Sequence, residues 1–519
     1  MKNSSYLPLL LLLLVIKAVF AVLLIHYSHI GLAPDEAQYW TWSQQLDWGY
    51  YSKPPGIAWQ IWLSTKFFGN TELGIRFGSV VISALLSLSM YVLAKACDLK
   101  EDTAFWSSVV MSFCPIGILS SFAATTDGGF ILFWTLASAS FAYSLRSTTA
   151  PEYLLIGILI ALGALFKWPI YALWALILFF SYSHYPKETL KRLPLGFFAS
   201  LLGLLPSFIW NYSHEWSTFR HVINTLLPSS LTPQNSDKPF WNGNVLEFLG
   251  AQAGILSPIF FILLLCGLYA FFKKRKEVNP AILFCGVTTA VFLSFCVGLS
   301  LFKHMQANWG AYTYPTAVII LCWFAVEQIS SGKMWLKVGT AFSITLSALV
   351  IATPRIQENN LLGSFSIPYK ANAFRHSLGW DTLESELQAA GYQSEEHFLF
   401  SDKYQMSSIL SFYSEGQKRA YFLNLHGNRK NQFSFWPGMK EEQMGKTGFF
   451  VLAENEPHFE KNLDYQLSHY QEQLSPYFHK LEYLGSKSLF QANGSSAKGI
   501  IIFKCIGYNG LEPISPTLY

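Results

Sequence analysis

The sequence predicts an α-helical polytopic membrane protein followed by a C-terminal soluble α/β domain. Of its 519 residues, 51% are hydrophobic and only 13% charged, against about 25% charged in an ordinary soluble chain. Apolar runs approach the roughly 20 residues a spanning helix needs; they recur near 6–27, 74–94, 104–122, 128–145, 193–210, 248–272, 279–302, 311–328 and 335–352. After residue 352 those runs stop, and short helical and strand-like stretches alternate instead. The expected division is therefore a membrane domain over 1–352 and an extracytoplasmic α/β domain over 353–519.

The first run, YLPLLLLLLVIKAVFAVLLIHY, holds Lys17 in its middle and shows no clear small-residue cleavage site. It reads as a retained helix rather than a removed signal peptide. Orientation follows from the short basic clusters, because Lys and Arg accumulate in cytoplasmic loops. Lys2, Lys95 with Lys100, Arg146, the Lys187/Lys191/Arg192 group, KKRK at 273–276 and Lys333 with Lys337 are these clusters. If Arg146 and Lys187 share the inner side, the stretch between them crosses twice or not at all. It breaks at Lys167–Trp168–Pro169, where proline interrupts a helix and biases its predecessor toward extended backbone. Two short spans meeting there give about 11 crossings in all, with the N-terminus inside and the C-terminal domain outside.

That topology collects the unusual polar segments on one face: the 28–73 loop, Thr125–Thr126–Asp127, Lys167–Trp168, the 211–247 loop and Lys303 to Trp309. Polar and ionisable residues at membrane depth mark functional sites by default. Beyond residue 352, SLGWDTLESELQAAG and KYQMSSILSFYS read as helices, and HFLFS, RAYFLNL, GFFVLAE and GIIIFKC as strands. That domain carries no glycine-rich nucleotide fingerprint and no evident catalytic triad.

Composition also removes other classes. A net charge of +4 without a basic patch gives no nucleic-acid footprint. Cys114, Cys266, Cys285, Cys296 and Cys322 lie inside apolar runs, Cys97 just after one, and Cys505 alone in the C-terminal domain. No pair has metal-ligand spacing, and an outward domain with one thiol has no internal disulfide to brace it.

The most informative segment is LAPDEAQYWTWSQQLDWGYYSKPPGIAW, residues 32–59. Pro34–Asp35–Glu36 reads as a helix start with acids in its first turn. The tyrosines and tryptophans suit a headgroup belt, and Ser52–Lys53–Pro54–Pro55 an extended turn near lipid phosphates. The chemical reading joins these parts: a carboxylate takes a proton from an acceptor hydroxyl, and a lysine stabilises a departing phosphate.

The first-loop wording, with GNTELGIR at 69–76, resembles the first external loop of GT-C-fold glycosyltransferases. The resemblance runs to the bacterial branch of aminoarabinose transferases of lipid A, galacturonosyltransferases of the lipopolysaccharide core and relatives of protein O-mannosyltransferases. Further matches are ATTDGGFILFW at 124–134, ALFKWP at 164–169, PSFIWNYSHEWSTF at 206–219 and KHMQANWGAYTYP at 303–315, so that it covers roughly the first 350 residues.

The resemblance implies a GT-C-like fold and an inverting transferase using a polyprenyl-phosphate sugar at the outer leaflet of a bacterial inner membrane. Its acceptor would be a glycolipid such as lipid A or core oligosaccharide, or a protein. Asp35 would be the base and Glu36 its support. Tyr39, Lys53, Lys167, Lys303, His304, Gln306 and Asn308 would hold the donor's phosphate or sugar. Asp127 either caps the next helix or contacts the acceptor. The scheme requires no cofactor and no metal. Where aminoarabinose transferases commonly carry Glu before the Lys-Pro, this chain has Ser52, which puts any role of that acid in doubt. A transporter or lipid-linked sugar flippase is the alternative, but paired broken helices in two repeats do not show: only the Lys167–Pro169 break is clear. A noncatalytic receptor using the outer domain is a third reading.

Overall fold

The computed structural model describes residues 6–226, 241–363, 365–455 and 462–513. Of the polar segments expected on one face, residues 227–240 of the 211–247 loop lie outside the described residues. The helices of the first part are α1 (Leu7–Tyr27), α2 (Pro34–Gln44), α3 (Gly56–Phe68), α4 (Glu72–Ala96), α5 (Glu101–Phe113), α6 (Pro115–Leu119), α7 (Thr126–Ser147), α8 (Tyr153–Ala164) and α9 (Leu173–His184). They continue as α10 (Pro186–Leu201), α11 (Leu205–Ser213), α12 (Ser217–Leu226), α13 (Val245–Leu256), α14 (Pro258–Lys274), α15 (Pro280–Leu299), α16 (Tyr314–Trp323) and α17 (Gly332–Glu358). Proline opens many of them, where its fixed φ and missing N–H cost least.

Among the described residues, six helical stretches are long and apolar enough to cross a membrane: Leu7–Tyr27, Glu72–Ala96, Thr126–Ser147, Pro280–Leu299, Ala307–Gln328 and Gly332–Glu358. Three bent pairs, α5 with Pro115–Phe122 (65°), α10 with α11 (45°) and α13 with α14 (106°), raise the number to nine if each is one span. The expected count of about 11 treated α8 and α9 as separate crossings. Each has 12 residues, short of the roughly 20 that a perpendicular span requires. The break between them falls at the anticipated place: Lys167 is extended, and Trp168–Ala172 forms a 3-10 turn.

Contacts divide the chain into two units. The first comprises residues 1–24, 53–60 and 76–347. Inside it, Lys17 is buried in mid-α1 and donates to Ser83 Oγ (2.8 Å) and to the Gly117 carbonyl (2.9 Å). Its charge is thus met by oxygen rather than left against hydrocarbon. Trp134 of α7, Phe292 of α15 and Tyr312 interlock with ring centroids 5.1–5.5 Å apart. Thr289 donates to Thr316 across α15 and α16 (2.9 Å), the kind of interhelical hydrogen bond that supplements packing in a membrane.

The break after α8 is seated between two glycines. Gly56 N–H donates to the Leu165 carbonyl at 2.7 Å. A Cβ at Gly56 would stand 2.6 Å from that same carbonyl oxygen, and one at Gly129 would stand 2.6 Å from the Phe166 ring. Backbone approaches backbone here at a distance only glycine permits.

The second unit comprises residues 25–52, 61–75 and 348–519. The expected boundary after residue 352 lies in α17, close to the division after Ser347. Two pieces of the 28–73 region pack with the C-terminal residues, an association not evident in the sequence. Their helix α2 packs on α19 (Tyr404–Tyr413), which follows α18 (Leu383–Ala389). Leu32 N–H donates to Tyr413 Oη (2.7 Å), and that hydroxyl donates to Glu72 Oε1 (2.5 Å). Trp40 meets Phe412 edge-on, and Trp42 stacks on Tyr50 at 4.6 Å.

The C-terminal sheet has the order β2-β1-β3-β5-β4, formed by β1 (His397–Ser401), β2 (Tyr421–Phe422), β3 (Thr447–Asn455), β4 (Phe478–Ala492) and β5 (Ser495–Tyr508). β1 runs parallel to β2 and β3, whereas β5 is antiparallel to β3 and β4. α20 (Met439–Glu442) and α21 (Leu463–Leu474) complete the domain. All four expected strands are present. β4 went unread because its alternation is broken by register shifts near Gly485 and Phe490. The β4–β5 hairpin turns on Asn493 and Gly494, both at positive φ, the residue pair a two-residue turn of this hand prefers.

Gly56→Ala should destabilise the first unit by about 1–3 kcal/mol, the usual cost of overpacking. A lowered unfolding temperature of the detergent-solubilised protein checks this; an unchanged one would show that the Leu165 contact yields freely.

Candidate active site

The second unit positions the opening acids. Successive helical residues project about 100° apart, and the pair at the start of α2 divides accordingly. Asp35 is exposed, while Glu36 is 3% exposed. Glu36 Oε2 accepts from the Ala33 N–H at 2.9 Å, one half of a capping box; Ala33 has no side-chain acceptor for the other half. Glu36, expected beside Asp35 in the catalytic pair, is thus turned inward and holds the helix start. Tyr39 is also inward, 6% exposed and 5.1 Å from Trp42 by ring centroids.

Residues from the C-terminal domain stand near Asp35, and the sequence did not disclose them. Tyr404 opens α19. Burial raises the pKa of its hydroxyl, the Arg429 guanidinium lowers it, and the Asp35 carboxylate raises it further. Arg429 also lies 5.6 Å from the centroid of the Tyr51 ring. Burial raises the Tyr51 hydroxyl, and Arg429 and Lys430 oppose that shift. Arg429 is hydrogen-bonded to both phenols, whose oxygens accept from the guanidinium. Tyr51 N–H donates to Gln432 Oε1 at 2.8 Å, fixing the residue within this group. Tyr404 and Arg429 lie more than 350 positions from Asp35 and match no short motif, so only the fold reveals their proximity.

A second cluster belongs to the first unit. Lys167 Nζ donates to Asp127 Oδ1 at 2.5 Å, and Asn308 Nδ2 donates to Asp127 Oδ2 at 2.8 Å. The Asp127 and Lys167 side chains are 17% and 19% exposed. Three residues expected to serve different substrates are therefore one hydrogen-bonded set, and the lysine's charge is already matched by a carboxylate. Asp127 is not the N-cap of α7, a position held by Thr125 without a side-chain cap bond; it stands in the helix's first turn, where an anion is favoured.

The 303–308 segment is held around this set. Lys303 Nζ donates to the carbonyls of Thr225 and Asn224 in the last turn of α12, a favourable place for a cation. Burial lowers its pKa. Lys303, expected on the donor phosphate, thus holds a helix end in this structure. Met305 N–H donates to Asn244 Oδ1 (2.8 Å), and Gln252 Nε2 donates to the Ala307 carbonyl (3.0 Å). Tyr314 in turn donates to Gln252 Oε1 (2.5 Å). Gln252 was missed, although a glutamine inside an apolar helix was a legible signal. His304 and Gln306 are exposed, with Gln306 Oε1 accepting from Trp309 Nε1 at 3.1 Å. Lys53 is half-buried in the turn before α3. Among the described residues no three His, Cys, Asp or Glu side chains group at metal-holding distances.

The fold has known counterparts. The structure superposes on ArnT from Cupriavidus metallidurans bound to undecaprenyl phosphate with a TM-score of 0.62, at 12% identity, covering 96% of this chain and 98% of that one. Residues 52–210 match the family described as dolichyl-phosphate-mannose-protein mannosyltransferase. With its membrane helices, C-terminal sheet domain and acid-bearing first loop, the protein is a polytopic GT-C-fold glycosyltransferase. Within that class it is 25% identical to the lipid A galacturonosyltransferase RgtD of Rhizobium johnstonii over 400 residues, 75% of this chain and 79% of that one. It is 26% identical to the undecaprenyl phosphate-alpha-4-amino-4-deoxy-L-arabinose arabinosyl transferase 2 of Proteus mirabilis over 310 residues, and that match spans 52% of each chain.

The Asp127–Lys167 pair generates a direct test. A largely buried charge left without its partner is costly. Lys167→Met should therefore lower stability more in the native background than in Asp127→Asn, with a coupling energy of about 0.5–3 kcal/mol in a double-mutant cycle. Strict additivity of the two unfolding shifts would show the pair to be energetically idle.

Proposed function

We propose that this glycosyltransferase moves a sugar from a polyprenyl-phosphate carrier to a hydroxyl of a lipid A or lipopolysaccharide-core acceptor, with inversion at the anomeric carbon. The observation that carries the reading is the match with RgtD over most of both chains. The named substrate of the Proteus mirabilis relative, an undecaprenyl-phosphate-linked sugar, supports the donor class. The site lies on the periplasmic side of a bacterial inner membrane, and residues 353–519 form the outward domain.

Asp35 is the base. Its exposure beside an inward Glu36 leaves it as the acid of the pair placed to meet substrate. The acceptor oxygen attacks the anomeric carbon as its proton passes to Asp35. The new carbon–oxygen bond forms on the face opposite the carrier, and the old one breaks with its electron pair leaving on the polyprenyl phosphate. Lys53 contacts that phosphate and stabilises its growing charge. Asp127, Lys167 and Asn308 act together as a hydrogen-bonded frame of the first unit, with His304 and Gln306 as the exposed donor contacts of that unit. No step calls on a nucleotide or redox cofactor, because the sugar arrives already activated on its carrier. Transport of a lipid-linked sugar, the alternative, has no feature in its favour once the glycosyltransferase relatives are considered.

Asp35→Asn should reduce transfer by about 10²–10⁴-fold, the usual contribution of a positioned base, without changing membrane abundance. Mass spectrometry of envelope glycolipids from wild-type, deletion and Asp35→Asn cells checks this. One sugar missing from both mutants identifies the product; a sugar absent only from the deletion removes Asp35 as the base. Lys53→Ala should raise the KM for donor by about tenfold or more, as expected for a lost charge-assisted phosphate contact. An unchanged donor KM would remove Lys53 from the phosphate site.

A further inference from the structure

The C-terminal domain presents a loop, residues 424–431, whose construction exceeds what a simple connection requires. It leaves the end of β2 and returns to a short helical turn at Gln432–Phe435. Asn424 closes it on itself: its Nδ2 donates to the Asn428 carbonyl (2.7 Å), and its Oδ1 accepts from the Asn428 N–H (2.9 Å). Gly427 supplies the left-handed residue within that closure (φ +62°). His426 Nε2 lies 3.0 Å from Asp402 Oδ2, and Asp402 is fully buried at the end of β1. Tyr470 of α21 donates to the same carboxylate oxygen at 2.7 Å. At the far end, Asn431 Oδ1 accepts from the Phe433 N–H (2.9 Å). The loop is thus pinned at its start, its middle and its end.

What it presents is a pair of cations, Arg429 and Lys430, both half-buried. Arg429 lies over Tyr51, Lys430 Nζ lies 5.8 Å from the centroid of the Phe435 ring, and Tyr51 stacks against Phe435 at 6.3 Å. The electrostatic influence of Arg429 reaches the hydroxyls of Tyr51 and Tyr404, and Tyr404 also feels Asp35. Two cations and two phenol hydroxyls thus cluster here, and one of those phenols, Tyr404, also feels the exposed Asp35 carboxylate. Packing one tyrosine ring needs neither a second cation nor a loop braced on a buried aspartate. A planar guanidinium with hydroxyl donors beside it is the arrangement that suits a phosphate oxygen pair.

We infer that the 424–431 loop is an active-site element of the C-terminal domain, and that Arg429, assisted by Lys430, binds a phosphate ester of a substrate held at Asp35. The inference rests on Asp35 being the base. Two phosphate esters meet this description in the proposed reaction, the carrier phosphate of the donor and a phosphate on the glycolipid acceptor. Asp402, His426 and Asn424 act through the loop and are positioning residues.

The test uses the full-length protein in lipid nanodiscs, with Arg429→Gln, Arg429→Lys and Lys430→Gln. Binding of undecaprenyl phosphate is measured directly, and the KM for a lipid A-type acceptor is measured with and without its phosphates. Loss of a charge-assisted contact predicts a weakening of about tenfold or more in Arg429→Gln. Arg429→Lys keeps the charge without the fork and should weaken binding less. Weakened undecaprenyl phosphate binding with an unchanged acceptor KM assigns the donor's phosphate. A raised KM confined to the phosphorylated acceptor assigns the acceptor's. Changes under twofold in both measurements, in variants that keep the wild-type unfolding temperature, overturn the inference. If Arg429→Gln misfolds, the decision passes to Arg429→Lys and Lys430→Gln, and two folded variants with wild-type constants overturn it equally. Asp35→Asn separates the two levels: full turnover in that variant sinks the assignment of the base, whereas phosphate binding by Arg429 is read independently of turnover.

Discussion

The pairing of Asp127 with Lys167 is the constraint from which the rest of the first unit follows. Two ionised side chains in largely dry surroundings have to find each other, because either one alone would be expensive to bury. Lys167 reaches Asp127 only because the helix carrying it stops at Ala164 and the backbone turns extended. That interruption then needs room, which Gly56 and Gly129 provide by having no side chain. Asn308 fills the second carboxylate oxygen and draws the segment before α16 to the same point. A proline break, two glycines and one amide are thus tied to a single ion pair.

The second unit obeys a different constraint, the burial of aromatic rings against a folded α/β domain. Trp40, Trp42 and Tyr50 have their faces covered by α19 and by one another. A short connection between two membrane helices has no surface to pack against a folded domain. A helix such as α2 has one, and so the length of this loop follows from its being half of an interface. The same packing brings an acid near the start of α2 within electrostatic reach of Tyr404, a tyrosine that Arg429 of the C-terminal domain also reaches.

Local signals in the sequence were reliable where they involved backbone chemistry. The Lys167–Pro169 break, the proline start of α2 and the four apolar strands all appear where propensity placed them, since each depends on near neighbours. The division of labour between Asp35 and Glu36 was legible in form, because adjacent helical positions must diverge, but which acid turned inward depended on the Ala33 amide. Lys303 shows the limit clearly: its charge and position suggested a phosphate contact, but its bonds to the carbonyls that end α12 could not be read from the sequence. Tyr404, Arg429 and Gln252 owe their places to contacts across long stretches of chain. No periodicity or spacing encodes those.

The C-terminal sheet ends in two unlike edges. β2 pairs through only two residues, and β4 is long but disturbed in register at three places, with Lys480, Glu482 and Lys487 along it. An unpaired strand edge is a template on which another chain can add itself. One edge here is too short to accept a partner, and the other is bent and charged. Neither edge therefore offers a long, regular template on which a strand of a neighbouring copy could add itself.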